Sequence, residues 1–311
     1  MSNTTASEHP RVLFFAMTGN FSPPVLLALL QHDIEVCAIV MPSPHSGPDQ
    51  SSIQGLAQKS TSRSMLPMLH ASEHPSLLQI ASERQIPVWE VSRLSHPKTL
   101  AVLTDYRPDA ICVACFSRRI PRQILNLPRF GCLNVHPSLL PANRGPEPLF
   151  WTFREGLQQT GVTIHVMDED MDTGPLVAQE VIDVPDGMSY MQLESRCAAL
   201  GGILLADSTW KLYRSQAHTM EQDETKSSYH PFPSVSDFIV NVAEWDARHV
   251  YNFICGLASW GEPITLQTGD RSIRVKTAIS YSHKSYIPSS EGEEEYWIPC
   301  RAGSVKIKRC V

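Results

Sequence analysis

The chain has 311 residues, 42% of them hydrophobic, and carries 26 Lys+Arg against 32 Asp+Glu for a formal net charge of -6. That length supports about two domains with real hydrophobic cores and excludes a small disulfide-stapled scaffold. The charge balance excludes a global basic field for nucleic acid or an anionic membrane, and aromatic residues along the whole length exclude a disordered chain.

The segment Met1–Pro10 is polar, and the first apolar run, Val12–Met17, is too short for a secretion signal. No stretch approaches the roughly 18 apolar residues of a membrane helix, so a cytoplasmic protein without membrane association is expected. Arg11–Met17 reads as a strand and Thr18–Asn20 as a turn. Val25–Leu30 reads as a helix with Pro23-Pro24 in its first turn, where a missing N–H costs nothing. Glu35–Met41, Val88–Val91, Ala110–Phe116 and Cys132–Val135 repeat the strand signal. Helices are expected over Pro75–Ala81, Leu94–Leu103 and Arg119–Leu127. This alternation predicts an α/β fold with a mostly parallel, Rossmann-like sheet covered on both faces. Pro42–Glu73, rich in Ser, Pro, Gln and His, is far longer than an ordinary connection and reads as a surface insertion.

Farther along, Val162–Val166 and Leu176–Val184 read as strands and Tyr190–Tyr213 as a long helix. The polar, Pro-punctuated stretch that follows places the boundaries: residues 1–214 form one domain, 215–233 a linker, and 234–311 a small β-rich, barrel-like domain. In the last, Ala247–Leu257 is helical and Ile264–Gln267, Ser272–Ile279, Tyr296–Pro299 and Val305–Lys308 are short strands.

The eight cysteines fit reduced thiols. Cys112 and Cys115 form a C-x-x-C pair, but inside an apolar run expected to be a buried strand, where residues three apart face opposite ways. No second pair or His cluster follows, so no metal is expected.

The first strand–helix turn, Met17–Ser22, lacks the G-x-G-x-x-G that lets a backbone approach a pyrophosphate, which argues against a dinucleotide enzyme. The polar residues that stand out lie later. Asn134 and His136 are two apart at a strand end and so share a face, and the following Pro and Gly residues force a rigid loop. They either cap ordinary backbone groups or face a ligand at the carboxyl edge of the sheet. Asp168, Asp170 and Asp172 are a solvated acidic turn, a metal site, or a carboxylate aimed at a histidine, and Asp172-Thr-Gly174-Pro175 gives a strong turn signal. His165 reads as a satisfied residue of a packed strand.

The ordered set Asn134-x-His136, Ser138-Leu-Leu-Pro141-x-x-Arg144-Gly145, Gly161-Val-Thr-Ile and Asp172-Thr-Gly174 resembles the 10-formyltetrahydrofolate-dependent formyltransferases, above all those acting on methionyl-tRNA. Phe15–Thr18, and Trp245-x-Ala247 through Leu257-x-x-Trp260, extend the resemblance over nearly the whole chain. It implies that Asn134, His136 and Asp172 form a catalytic trio, with Asp172 keeping His136 charged. It also implies that 10-formyltetrahydrofolate, as co-substrate, lies between Cys115, Phe116, Ser117 and Arg118 and the loop Asp168–Asp172, with Asp168, Asp170 and Ser138 lining its site. Ser138 and Arg144 shape the loop, Arg144 as anchor or as substrate contact.

The chain departs from this pattern in two places. Met17 stands where the family has Gly. The insertion, which in the tRNA-acting members is basic, offers only Lys59 and Arg63 against Asp49 and Glu73, and from Ser228 onward there are 9 Lys+Arg and 9 Asp+Glu. The expected acceptor is methionyl-tRNA, with an amino-sugar nucleotide or other small amine as the alternative on charge. A folate- or RNA-binding protein without turnover is the third reading, and no DNA partner is expected.

Overall fold

The computed structural model describes residues 8–43, 52–56, 75–286 and 295–309. The chain forms two compact units that interleave in sequence: residues 1–144, 161–180 and 195–227 make the first, and 145–160, 181–194 and 228–311 the second.

The first unit begins with β1 (Arg11–Ala16), α1 (Ser22–Gln31) and β2 (Glu35–Pro42). There follow β3 (Ile53–Gly55), α2 (Leu77–Glu83), β4 (Val88–Val91), α3 (Pro97–Asp105), β5 (Ala110–Ala114), α4 (Arg122–Leu125) and β6 (Cys132–His136). With β7 (Gln159–Val166) and β8 (Leu176–Asp183), these strands build a sheet in the order β3-β4-β2-β1-β5-β6-β7-β8. The central strands β1 and β5 are buried over almost every residue, which is why they read as unbroken apolar runs. The core cluster on one side gathers Leu13, Phe15, Val40, Ile111 and Val113.

The parallel core is β2-β1-β5-β6, extended by β4, whereas β3 and β7 run antiparallel to their neighbours. The sheet is therefore mixed at both ends. Three expected elements also shift. The helix anticipated over Leu94–Leu103 starts at Pro97, because the His96 side chain accepts the Lys98 amide and Pro97 occupies the first turn. The one anticipated over Arg119–Leu127 shrinks to α4 after Pro121. The strand expected through Phe116 stops at Ala114, since Cys115 adopts a left-handed φ of 56°. Cys115 is consequently exposed, not a buried strand residue. Most of the insertion Pro42–Glu73 lies outside the described residues, but Ile53–Gly55 pairs with β4.

The long α6 (Tyr190–Tyr213) passes over β6 through Gly201, where a Cβ would lie 2.5 Å from a Val135 methyl. Only glycine permits that approach. Val135 therefore faces the helix, and its neighbours Asn134 and His136 must point to the opposite side of the sheet. Cys112, fully buried in β5, has its thiol 3.5 Å from the Thr209 hydroxyl of α6, and burial pushes that thiol up to about 12. Replacing Cys112 by Ala is expected to cost roughly 1 kcal/mol for a small cavity. Specific activity should be unchanged; a drop in activity without a drop in Tm would mean the thiol has a chemical role.

The second unit holds α5 (Pro148–Arg154), β9 (Ile239–Asn241), α7 (Ala247–Leu257), β10 (Ile264–Thr268), β11 (Arg271–Ser282), β12 (Glu295–Pro299) and β13 (Ser304–Arg309). The strands form a second sheet in the order β12-β13-β11-β10-β9. Phe150 of α5 anchors an aromatic core with Phe238, Phe253 and Trp260, ring centroids 5.0–6.3 Å apart. Among the described residues, no helix is long and apolar enough to cross a membrane.

Candidate active site

The carboxyl end of β6 presents Asn134 and His136, and the loop between β7 and β8 presents Asp172. The Asp172 carboxylate, only 10% exposed, lies between two imidazoles: Oδ2 is 3.6 Å from His136 Nδ1 and Oδ1 is 3.5 Å from His165 Nε2. The two rings meet edge to face at 6.4 Å. Asn134 Nδ2 donates to His165 Nε2 over 3.1 Å. Asn134, His136 and Asp172 thus converge, with His165 joining them.

The hydrogen bonds assign the tautomers. A carbonyl oxygen can only accept, so His136 carries its proton on Nε2, which donates to the Asn143 carbonyl at 2.8 Å. Nδ1 is left facing Asp172. By the same logic His165 donates from Nδ1 to the Val166 carbonyl at 3.3 Å and accepts from Asn134 on Nε2. His136 is buried, and loss of hydration lowers its pKa; the Asp172 carboxylate pulls the other way but does not prevail. Burial thus works against the expectation that Asp172 keeps His136 charged, the loss of hydration outweighing the nearby carboxylate.

His165 reads from the sequence as a satisfied strand residue, and both of its ring nitrogens are hydrogen-bonded. It is buried, and it bonds Asn134 directly because β6 and β7 are antiparallel with Asn134 opposite His165. The alternation Val162-Thr-Ile-His165 placed it on one face, but the strand direction that brings it to Asn134 has no local signal.

The remaining predicted residues divide by what they touch. Ser138 is buried and its hydroxyl donates to the Ala142 carbonyl at 2.7 Å. Thr163 Oγ1 donates to Ser138 O and accepts from the Leu140 amide, so the loop after β6 is bonded to β7. Asp168 Oδ1 accepts from the Asp170 amide at 3.1 Å and the Thr173 hydroxyl at 2.7 Å, turning its own loop. Asp170 itself is exposed. The Phe116 ring packs on Phe15 with centroids 5.1 Å apart, while Cys115 and Ser117 are exposed. Arg118 donates to the carbonyls of Ser92 and Ser43, each at 2.8 Å, tying the ends of β4 and β2. It also lines a cavity of about 320 Å³ with Ser92, Leu94, Ser95, Arg119 and Pro121. The loops after β5 and β7 are joined by Arg119 donating to the Glu169 carbonyl and by an Arg122–Glu169 ion pair at 3.2 Å. Among the described residues, no three His, Cys, Asp or Glu are grouped to hold a metal ion.

Residues 11–209 match the formyl transferase family model. The chain belongs to the formyl transferase family. It is an enzyme that transfers a formyl group. It is 32% identical over 314 aligned residues to the methionyl-tRNA formyltransferase of Synechococcus sp. (strain JA-3-3Ab), covering 96% of this chain and 90% of that protein. Two solved structures share the fold. One is the N-formyltransferase from Helicobacter canadensis in complex with folinic acid and dTDP-3-aminofucose, with TM-score 0.65, 15% identity and coverage of 96% and 98%. The other is the methionyl-tRNA formyltransferase from Clostridium thermocellum, with TM-score 0.51, 13% identity and coverage of 97% and 100%.

Proposed function

We propose that this formyltransferase takes its formyl group from 10-formyltetrahydrofolate and delivers it to the amine of methionyl-tRNA, with Asn134, His136 and Asp172 performing the transfer. The observation that carries the catalytic part is the buried meeting of these three side chains at one strand end in a chain of this family. The folate lies against the exposed chain at Cys115 and Ser117 and the loop Asp168–Asp172, with Phe116, Arg118 and Ser138 bracing the walls rather than gripping it. Residues 1–214 hold the catalytic machinery in this scheme, residues 234–311 contribute to acceptor choice, and the enzyme works in the cytoplasm.

Attack of the amine nitrogen on the formyl carbon forms the new C–N bond and turns the carbonyl oxygen into an oxyanion; collapse breaks the bond to folate N10, which takes up a proton as it leaves as tetrahydrofolate. One N–H of Asn134 is spent on His165, and the other serves the oxyanion. The attacking nitrogen becomes cationic and must lose a proton. Neutral His136, with Nδ1 toward Asp172, together with the carboxylate, supplies the acceptor for that proton.

Two features bear on the acceptor. Similarity to a methionyl-tRNA formyltransferase over 96% of the chain supports tRNA. In the second sheet Lys308 lies opposite Thr277 and Glu295, and Lys306 opposite Ser280 and Trp297, so one face carries both lysines and an indole. Against it, Lys306 is paired with Glu295 at 3.0 Å, and the near-neutral composition suits a small amine, as in the sugar-nucleotide complex of the Helicobacter canadensis protein. The test is formyl transfer to charged methionyl-tRNA beside a panel of amino-sugar nucleotides, each at low and physiological salt. For tRNA, log K is expected to fall by about 0.7–0.9 for each phosphate neutralised per tenfold rise in salt, and reversing Lys306 and Lys308 should flatten the slope. Turnover of a sugar nucleotide with none of tRNA removes tRNA as the acceptor and leaves the catalytic trio in place.

A further inference from the structure

Asp172 sits on a turn in a left-handed backbone conformation. Its φ is 58°, left-handed for a residue with a Cβ, and such a backbone persists only where its surroundings determine it. The group that does so comes from the stretch 215–233, expected to be a mere linker. The Gln222 amide nitrogen donates to the Asp172 carbonyl at 2.8 Å and to the Gly174 carbonyl at 2.7 Å, one proton to each side of Thr173. Both protons of the amide are used on the turn that aims Asp172.

The other end of the same amide is fixed as well. Gln222 Oε1 accepts from Arg144 Nε at 3.2 Å and Nη2 at 2.8 Å. Arg144, buried, turns its remaining edge to Glu224, with Nη1–Oε2 at 3.0 Å and Nη2–Oε1 at 2.6 Å. This fork-on-fork pairing orients the guanidinium, which in turn forces the Gln222 carbonyl toward it and the NH₂ toward the loop. Backbone bonds between Leu176 and Met220, at 2.8 and 2.9 Å, hold the stretch in place. Arg144 also directly follows Asn143, whose carbonyl receives the His136 proton. One polar network thus spans the settings of both His136 and Asp172.

We propose that Gln222, oriented by Arg144 and Glu224, is a positioning residue for the formyl transfer: it sets the Asp172 turn so that the carboxylate meets His136. Arg144 is on this basis an anchor and not a substrate contact. The proposal rests on the formyl-transfer reading above, and its test separates the two.

Gln222→Met keeps the shape and removes both donors. In steady-state transfer from 10-formyltetrahydrofolate, kcat is expected to fall about 10- to 100-fold, with KM for the folate within about twofold, because the loss falls on the transition state. A general loss of structure would move both. In the Asp172→Asn background the same substitution should lower kcat by less than about twofold, since residues acting as a unit are non-additive. Glu224→Gln, at the exposed end of the network, should lower kcat about two- to fivefold and serves if Gln222→Met does not fold. Amide hydrogen exchange over residues 170–175 should be faster in either variant. Wild-type kcat in Gln222→Met, or a full additional loss on top of Asp172→Asn, overturns the proposal. If the wild type transfers formyl to no amine, the functional reading fails; exchange that is nonetheless faster supports the clamp, and unchanged exchange overturns it.

Discussion

Replacing Asn134, His136 or Asp172 by Ala is expected to lower kcat by about 10²–10⁴ each, with little change in folate affinity, because these groups act on charge that develops only in the transition state. Asp168→Ala and Asp170→Ala should be far milder: Asp168 turns its own loop, and Asp170 is exposed. The pH profile sharpens the test. Burial lowers the pKa of His136 below its ordinary value of 6.5, which favours the neutral imidazole. If the neutral form is the working one, kcat falls on acidification, along a limb below pH 6.5. Asp172 is the main influence raising that pKa, so the residual activity of Asp172→Asn should show its limb at still lower pH. Stability follows the same sign: a depressed histidine makes the unfolded chain the better proton acceptor, so stability is retained above the unfolded pKa and declines as pH falls through 6.5. Activity that rises on acidification would restore a charged His136 and remove the base role.

Gly174→Ala should damage both stability and turnover. A Cβ at Gly174 would stand 1.8 Å from the Val166 carbonyl oxygen, and that atom belongs to backbone that also receives the His165 Nδ1 proton. Neither partner can yield without moving β7 or the Asp172 turn. The expected cost is roughly 1–3 kcal/mol or more, as for other forced overpacking. Activity should fall further than stability explains, since the displaced turn carries Asp172 and both carbonyls bound by Gln222. Urea denaturation and kcat measured well below the midpoint check the two parts separately; a variant with normal kcat among its folded molecules would show that the turn tolerates displacement.

Much of this was legible in the order of residues because it depends on local periodicity. Strands covered on both faces read as continuous apolar runs, so β1, β2, β4, β5 and β6 and the helices between them could be placed within a few residues. The two-residue period put Asn134 and His136 on one face, and Gly174-Pro175 marked the turn bearing Asp172. Only the tertiary structure decided the rest. The expected strand ran past Ala114 because Cys115 and Phe116 are apolar, and nothing local announces a left-handed Cys115. The short α5, a Pro-led aromatic run at Pro148–Arg154, was not anticipated because its burial comes from Phe238, Phe253 and Trp260 far along the chain. His165 meets Asn134 through an antiparallel register, Gln222 reaches Asp172 across 50 residues of chain, and the pKa of His136 is lowered because the fold strips it of water. Period and propensity are properties of neighbours in sequence, whereas strand direction, desolvation and the pairing of distant polar groups exist only once the chain has closed on itself.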